Sequence, residues 1–333
     1  MFGRKHVTET EQSTPGPDPT SPHATEADIM ACFRLLLGRQ PSPDERRAHL
    51  ARAGADLRDI VKSFLVSEEF ARRELLADQY QNTVEVVTED GFDILVWPEE
   101  PTICASIKAK TYEPHTVAAF RRMLRPGMSV VDIGANVGFL TLTAAALVGP
   151  TGSVVAVEPN PMNVKLMEAS RRLNGFAHVR VLPVAAGREV GLLALRTDGS
   201  NGTAVQLTGD YASPLGATMV PVVNLEAALG DHGNDRVDFI KVDVEGAEGA
   251  ALAGLERIID RDHPAIVSEF SPDAMPMLSG MTGREYLESF VRRGYKLSVL
   301  RKDGQVTDCG SDIEGVMLAF AEIGEDHIDI LAQ

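Results

Sequence analysis

One stretch, Val130-Val131-Asp132-Ile133-Gly134-Ala135-Asn136-Val137-Gly138-Phe139, constrains this chain more than any other. A short β-branched run ends on an acid, two glycines four apart make a tight turn, and helical text follows. Residues 154–157 repeat the strand-then-helix pattern, and 239–242 and 266–267 repeat it later. Such a βαβ succession predicts a parallel sheet with helices on both faces. In open sheets of this kind a ligand sits outside the carboxyl ends of the strands, where glycines let backbone approach it.

The letters of the turn discriminate between ligands. A dinucleotide site needs glycine at 134 and 136 and Gly or Ala at 139, where this chain has Gly134, Asn136 and Phe139. Asp132, just before the turn, would repel a pyrophosphate. About 26 residues later the second strand ends at Glu158, an acid placed to accept hydrogen bonds from both hydroxyls of a ribose. A sulfonium cofactor with an ammonium group carries no phosphate and tolerates these acids, so the pattern favours S-adenosylmethionine over NAD.

Around this centre the chain divides. Residues 1–24 carry no apolar period and are expected to be a disordered tail. Residues 25–79 are expected to form a small helical domain of four short helices. Thr25 to Asp28 resembles a capping box, Pro43 stands at a first helical position, Leu57, Ile60, Val61, Phe64 and Leu65 mark the third helix, and Ser67 caps the fourth. Residues 80–333 make the main domain. Within it, 84–97 read as a hairpin around Asp90-Gly91, and a helix runs from Pro114 to Leu124. Residues 192–223 read as an added antiparallel segment or loop, and Thr282 caps a late helix. Residues 296–300 and 316–320 read as strands closing the sheet.

Three groups of residues carry a resemblance: Asp132 to Gly138, Glu158-Pro159-Asn160-Pro161, and Lys241-Val242-Asp243-Val244-Glu245-Gly246-Ala247-Glu248. They look like the motifs of the FkbM family of S-adenosylmethionine-dependent methyltransferases. Tyr112-Glu113-Pro114 is similar to the family's lead-in, and Glu269 matches the acid ending its fifth strand. The resemblance covers about residues 84–322. It implies the class I methyltransferase fold, a Rossmann-like α/β sheet of seven strands, and most often methyl transfer to a hydroxyl oxygen. Two departures stand out. Asn224-Leu225-Glu226 replaces the usual Thr-Leu-Asp, and Val184-Ala185-Ala186 stands where many class I enzymes have an acid for the adenine amino group, leaving backbone and apolar contact to hold the base. Phe33 to Arg39 and Phe64 to Phe70 resemble a helical domain related to phycobilisome linkers, often found beside glycan-modifying enzymes.

The resulting candidates for cofactor binding are Glu113, Asp132, Gly134, Ala135, Asn136, Gly138, Glu158, Pro159, Asn160, Ala185 and Asp243, with Asn160 read chiefly as a helix cap. Asp243, Glu245 and His115 are the candidates for accepting the proton of the acceptor, Asp243 first, while Glu248 reads as structural at a helix start. Met275, Met277 and Met281 fit either an apolar substrate wall or loop packing. No metal cluster is expected from the scattered His and the three cysteines, Cys32, Cys104 and Cys309. The formal net charge of −16 disfavours nucleic acid and anionic membrane surfaces, no apolar run reaches the ~20 residues of a span, and residues 1–24 lack a signal-peptide layout. The expectation is therefore a cytoplasmic O-methyltransferase acting on a hydroxyl of a sugar, glycolipid or secondary metabolite. The alternatives are a non-catalytic scaffold of the same fold and an NAD-dependent oxidoreductase.

Overall fold

The computed structural model describes residues 21–72, 84–198, 200–205, 217–229 and 236–333. The chain divides into two compact units, residues 1–83 and 84–333. Of the expected tail, residues 1–20 lie outside the described residues. Ala24 is buried, and its N–H donates to the Ala55 carbonyl at 2.8 Å.

The first unit holds α1 (Glu26–Leu35), α2 (Pro43–Leu50), α3 (Leu57–Leu65) and α4 (Glu68–Arg72). Thr25 and Ser42 form reciprocal capping boxes with Asp28 and Glu45, and the Phe70 N–H donates to Ser67 Oγ. Ile29, Phe33, Ile60 and Phe64 fill the core, with the rings of Phe33 and Phe64 edge to face at 4.9 Å. Arg39 ties the helices from outside through Glu45 at 2.7 Å and Glu69 at 2.5 Å.

The second unit opens on β1 (Glu85–Glu89) and β2 (Phe92–Val96), an antiparallel pair whose two-residue turn uses Gly91 at φ 97°. After α5 (Ile103–Lys108) and α6 (Pro114–Met123), strands and helices alternate: β3 (Ser129–Ile133), α7 (Phe139–Val148), β4 (Ser153–Val157), α8 (Pro161–Leu173) and β5 (Val179–Leu182). A segment with β6 (Ala185–Ala186), β7 (Gly191–Asp198), β8 (Asn201–Val205) and β9 (Thr218–Val223) follows, then α9 (Leu225–Leu229) and β10 (Phe239–Val242). The remainder is α10 (Glu248–Ala253), α11 (Glu256–Asp262), β11 (Ala265–Phe270), α12 (Met275–Leu278), α13 (Gly283–Arg292), β12 (Leu297–Leu300), β13 (Val306–Gly310), α14 (Ile313–Ile323) and β14 (Ile328–Ala332).

The main sheet has the order β13-β12-β14-β11-β10-β3-β4-β5. Strands β5, β4, β3, β10 and β11 run parallel, and β14 is antiparallel to both its neighbours. The expected class I architecture is thus present, with eight strands rather than seven because β13 adds an outer edge. One expected strand is a helix: residues 316–320 lie inside α14, where Val316 and Ala319 are buried three apart and Gly324 ends the helix at φ 68°. An apolar run of that length fits either period, and the true closing strand, β14, starts only after it. The expected added segment is a separate four-stranded sheet, β6-β9-β7-β8.

Period-two alternation sends neighbouring strand residues to opposite faces. Val130 and Phe239 pack under α6 and α7, whereas Val131 and Ile240 pack on the α10 and α13 side. Connections leave β3 towards β4 and later return to β10 on its other side, so the order reverses between β3 and β10. That is the switch point where such sheets open a crevice. Gly134 stands there at φ 79°, and a Cβ on it would lie 1.7 Å from the Asp243 carbonyl oxygen. Gly134→Ala therefore combines left-handed strain with a backbone clash, and we expect a loss of about 2–4 kcal/mol in urea unfolding.

Candidate active site

A cavity of about 250 Å³ occupies the crevice. Its floor is Ile133, Gly134 and Val157 at the ends of β3 and β4, with Asp243 and Val244 after β10. Leu193, Leu195 and Gly202 from the small sheet wall one side, together with Val184, Ala185 and Ala186. Among the described residues, three of the five non-glycine residues with positive φ, Glu113 (39°), Asn136 (50°) and Glu245 (57°), line this one cavity. Backbone strain of this kind persists only where surrounding structure enforces it, and it gathers at functional sites.

Glu158 is held tightly. One carboxylate oxygen accepts from the Asn136 N–H at 2.9 Å, and the other from the Asn160 N–H at 2.7 Å, with Asn163 Nδ2 at 3.4 Å. Burial raises its pKa to about 7 despite these donors. Glu113 is likewise pushed to about 7 by burial, against the pull of Lys241.

Lys241 is the buried cation of the site. It lies opposite Asp132 in the β3–β10 register, and its Nζ is 2.9 Å from Asp243 Oδ2 and 3.4 Å from the Gly134 carbonyl. Burial pulls its pKa down, but the carboxylates of Asp243, Asp132 and Glu113 outweigh that and hold it charged. Burial raises Asp243 too, but Lys241 and a hydrogen bond with Glu269 overcome it, so Asp243 stays ionised. Burial and the Asp243 charge push Glu269 far up, so this pair carries its proton on Glu269.

The candidates divide by position. Glu113, Gly134, Asn136, Glu158, Pro159, Ala185, Asp243 and Glu245 line the cavity. Asp132, Ala135, Gly138 and Asn160 lie behind its wall. Asp132 is fully buried, and its Oδ2 accepts from Thr141 Oγ1 at 2.5 Å. Ala135 packs with Ala156 and Met167. Gly138, at φ 92°, lets α7 approach α8, since a Cβ there would meet Met167 Cγ at 2.7 Å. Asn160 caps α8, its Oδ1 accepting from the Met162 N–H at 3.0 Å. Glu248 accepts from the Val244 and Gly246 N–H groups and so serves the loop.

His115 is paired: its Nε2 is 2.5 Å from Asp329 Oδ2. Burial lowers its pKa, but the Asp329 carboxylate more than offsets this and raises it. It lines a second cavity, of about 430 Å³, that shares Tyr112, Glu113, Asp243, Glu269 and His327 with the first. The methionine wall is not at either cavity: Met275 is core and Met277 is 71% exposed. Ile103, Leu193, Leu195 and His327 were not candidates. They come from a short helix, an added sheet and a late loop, whose placement no local pattern encodes. Among the described residues no group of three His, Cys, Asp or Glu is arranged for a metal, and no helix is long and apolar enough to cross a membrane.

The folded-state pKa values of Glu113, Glu158 and Glu248, about 7, exceed the ordinary 4.5. Each binds its proton more tightly folded than unfolded, so stability falls as pH rises from about 4.5 to 7. The melting temperature of the ligand-free protein should drop between pH 5 and 7.5, with a shallower slope in Glu158→Gln.

Residues 132–297 match the methyltransferase FkbM domain family. A structure of the methyltransferase FkbM from Methylobacillus flagellatus is similar at 14% identity, covering 69% of this chain and 52% of that one, with a TM-score of 0.39. This chain thus spans about half the length of that protein. Precorrin-6y C5,15-methyltransferase from Geobacter metallireducens matches at 13% identity over 67% and 89%, TM-score 0.37. Fibrillarin from Aeropyrum pernix, solved with natively bound S-adenosyl-L-methionine, matches at 14% over 75% and 100%, TM-score 0.39. No curated protein matches the sequence.

Proposed function

For a chain whose residues 132–297 are a methyltransferase FkbM domain, we propose S-adenosylmethionine-dependent O-methylation of a hydroxyl on a sugar, glycolipid or secondary metabolite. The charge of the first cavity carries this reading. Among the described residues, five carboxyl groups line it, Glu113, Glu158, Asp243, Glu245 and a Glu269 that keeps its proton, with no Lys or Arg. Such a wall suits a ligand bearing a sulfonium and an ammonium and repels the pyrophosphate of NAD. Glu158 would accept from the ribose hydroxyls and the apolar slot of Val184, Ala185, Leu193 and Leu195 would take the adenine, a reading supported by their place on the cavity wall.

Bound there, the cofactor supplies an electrophilic methyl group that an acceptor oxygen takes in line, leaving a neutral thioether. Charge is lost in that step, so tight binding of the cation alone gives no rate advantage. The strained turns at Glu113, Asn136 and Glu245 and the buried Lys241 instead fix the geometry, the kind of positioning that supplies up to ~7–11 kcal/mol. Asp243, ionised and lining both cavities, takes the hydroxyl proton as the oxygen commits. Glu245 has left the strand and lines only the first cavity, a weaker place for that task. The net charge of −16 supports a small-molecule or glycan acceptor over nucleic acid, and three free thiols support a reducing, cytoplasmic setting.

Calorimetric titration tests the cofactor. S-adenosylmethionine and S-adenosylhomocysteine should bind at micromolar Kd, NADH should not, and Glu158→Ala should weaken both by tenfold or more. A folded protein that binds neither would leave only the scaffold reading. Once an acceptor is found, Asp243→Asn should lower kcat by about 10²–10⁴-fold, and an unchanged kcat would remove Asp243 from the proton transfer.

A further inference from the structure

We propose that the second cavity is the acceptor site and that it is built for an uncharged polyol, a sugar ring rather than an apolar or phosphorylated alcohol. This rests on the methyl-transfer reading of the first cavity. The two cavities meet at Tyr112, Glu113, Asp243, Glu269 and His327, so a molecule in the second presents an oxygen directly to the carboxylates at the junction. Its volume, about 430 Å³, falls in the range of small-molecule sites.

The chemistry of the wall selects the occupant. Among the described lining residues, Pro114 is the one without a polar side-chain atom. An aromatic or aliphatic acceptor would meet stretches of apolar surface but would leave the polar atom that nearly every lining side chain carries unpaired, the costlier error. The basic side chains do not favour an anion either, because each already faces a carboxylate. Lys302 pairs with Glu325, His327 Nδ1 is 2.8 Å from Asp326, and His115 is 2.5 Å from Asp329. Asp243 and the Ser106 and Thr111 hydroxyl oxygens can accept hydrogen bonds, and Lys302 Nζ has N–H groups beyond the one it gives Glu325. A vicinal polyol, whose hydroxyls each donate and accept, satisfies such a mixed wall without added charge.

Transfer of label from S-[methyl-³H]adenosylmethionine to methyl glycosides of glucose, galactose, mannose and rhamnose tests this against hexose 6-phosphates, 2-phenylethanol and 1-octanol. The expected result is methylation of at least one glycoside with kcat/KM tenfold or more above every phosphate and simple alcohol. Asp329→Asn, and separately Ser106→Leu to fill the cavity from α5, should raise the KM for that glycoside tenfold or more. Neither residue lines the first cavity, so kcat and the Kd for S-adenosylmethionine should stay within about threefold. Preference for a phosphate or an apolar alcohol overturns the proposal. So does failure to methylate any glycoside by protein that binds S-adenosylmethionine, or an unchanged KM in both variants. Absence of S-adenosylmethionine binding would instead strike the underlying reading, and the acceptor site would fall with it.

Discussion

The buried Lys241 ammonium allows this site to exist. Asp132, Asp243 and Glu113 all lie close enough to raise its pKa, and without a central cation these acids could not share one desolvated volume in their ionised forms. The lysine is in turn held by the sheet, because its place in β10 sets it opposite Asp132 in β3. Electrostatics and strand register are therefore one constraint. Only Asp243 gains fully from the cation. Glu113 and Glu158 sit higher, near neutrality, and Glu269 keeps its proton. A crowded set of acids is sorted into one ionised carboxylate, two groups that titrate near 7 and one that keeps its proton.

Much of the fold was legible because its signals are local. Capping boxes at Thr25, Ser42 and Thr282, the Asp90-Gly91 turn and the β-branched runs each declare themselves within a few residues. The misreading of residues 316–320 shows the limit. Val316 to Phe320 is apolar without a clear period, and length together with the caps at Asp312 and Gly324 decides for a helix. Local text also does not say which strand will be outermost, so β13 was invisible.

The cavity wall was legible where turn chemistry and strand ends mark it, as at Gly134, Glu158 and Asp243. It was less readable where two jobs share the same residue type. Gly138 looked like a second point of ligand approach, yet its missing Cβ makes room for Met167. Asp132 looked like a wall residue, yet its carboxylate bonds Thr141 and balances Lys241 behind the wall. Part of the apolar side of the cavity comes from Leu193 and Leu195 of β7, outside every motif. Their contribution is a matter of tertiary placement, which periodicity does not carry.

The contact at Gly134 joins parts that would otherwise be described separately. The Asp243 backbone occupies the space where any other residue at 134 would place its side chain, and the Asp243 N–H also bonds the Ile133 carbonyl at 3.0 Å. The turn at Gly134 and the segment that carries Asp243 are thus a single mechanical part. Under the proposed reading, cofactor loading at that turn and the alignment of the Asp243 carboxylate would be set by one motion rather than two.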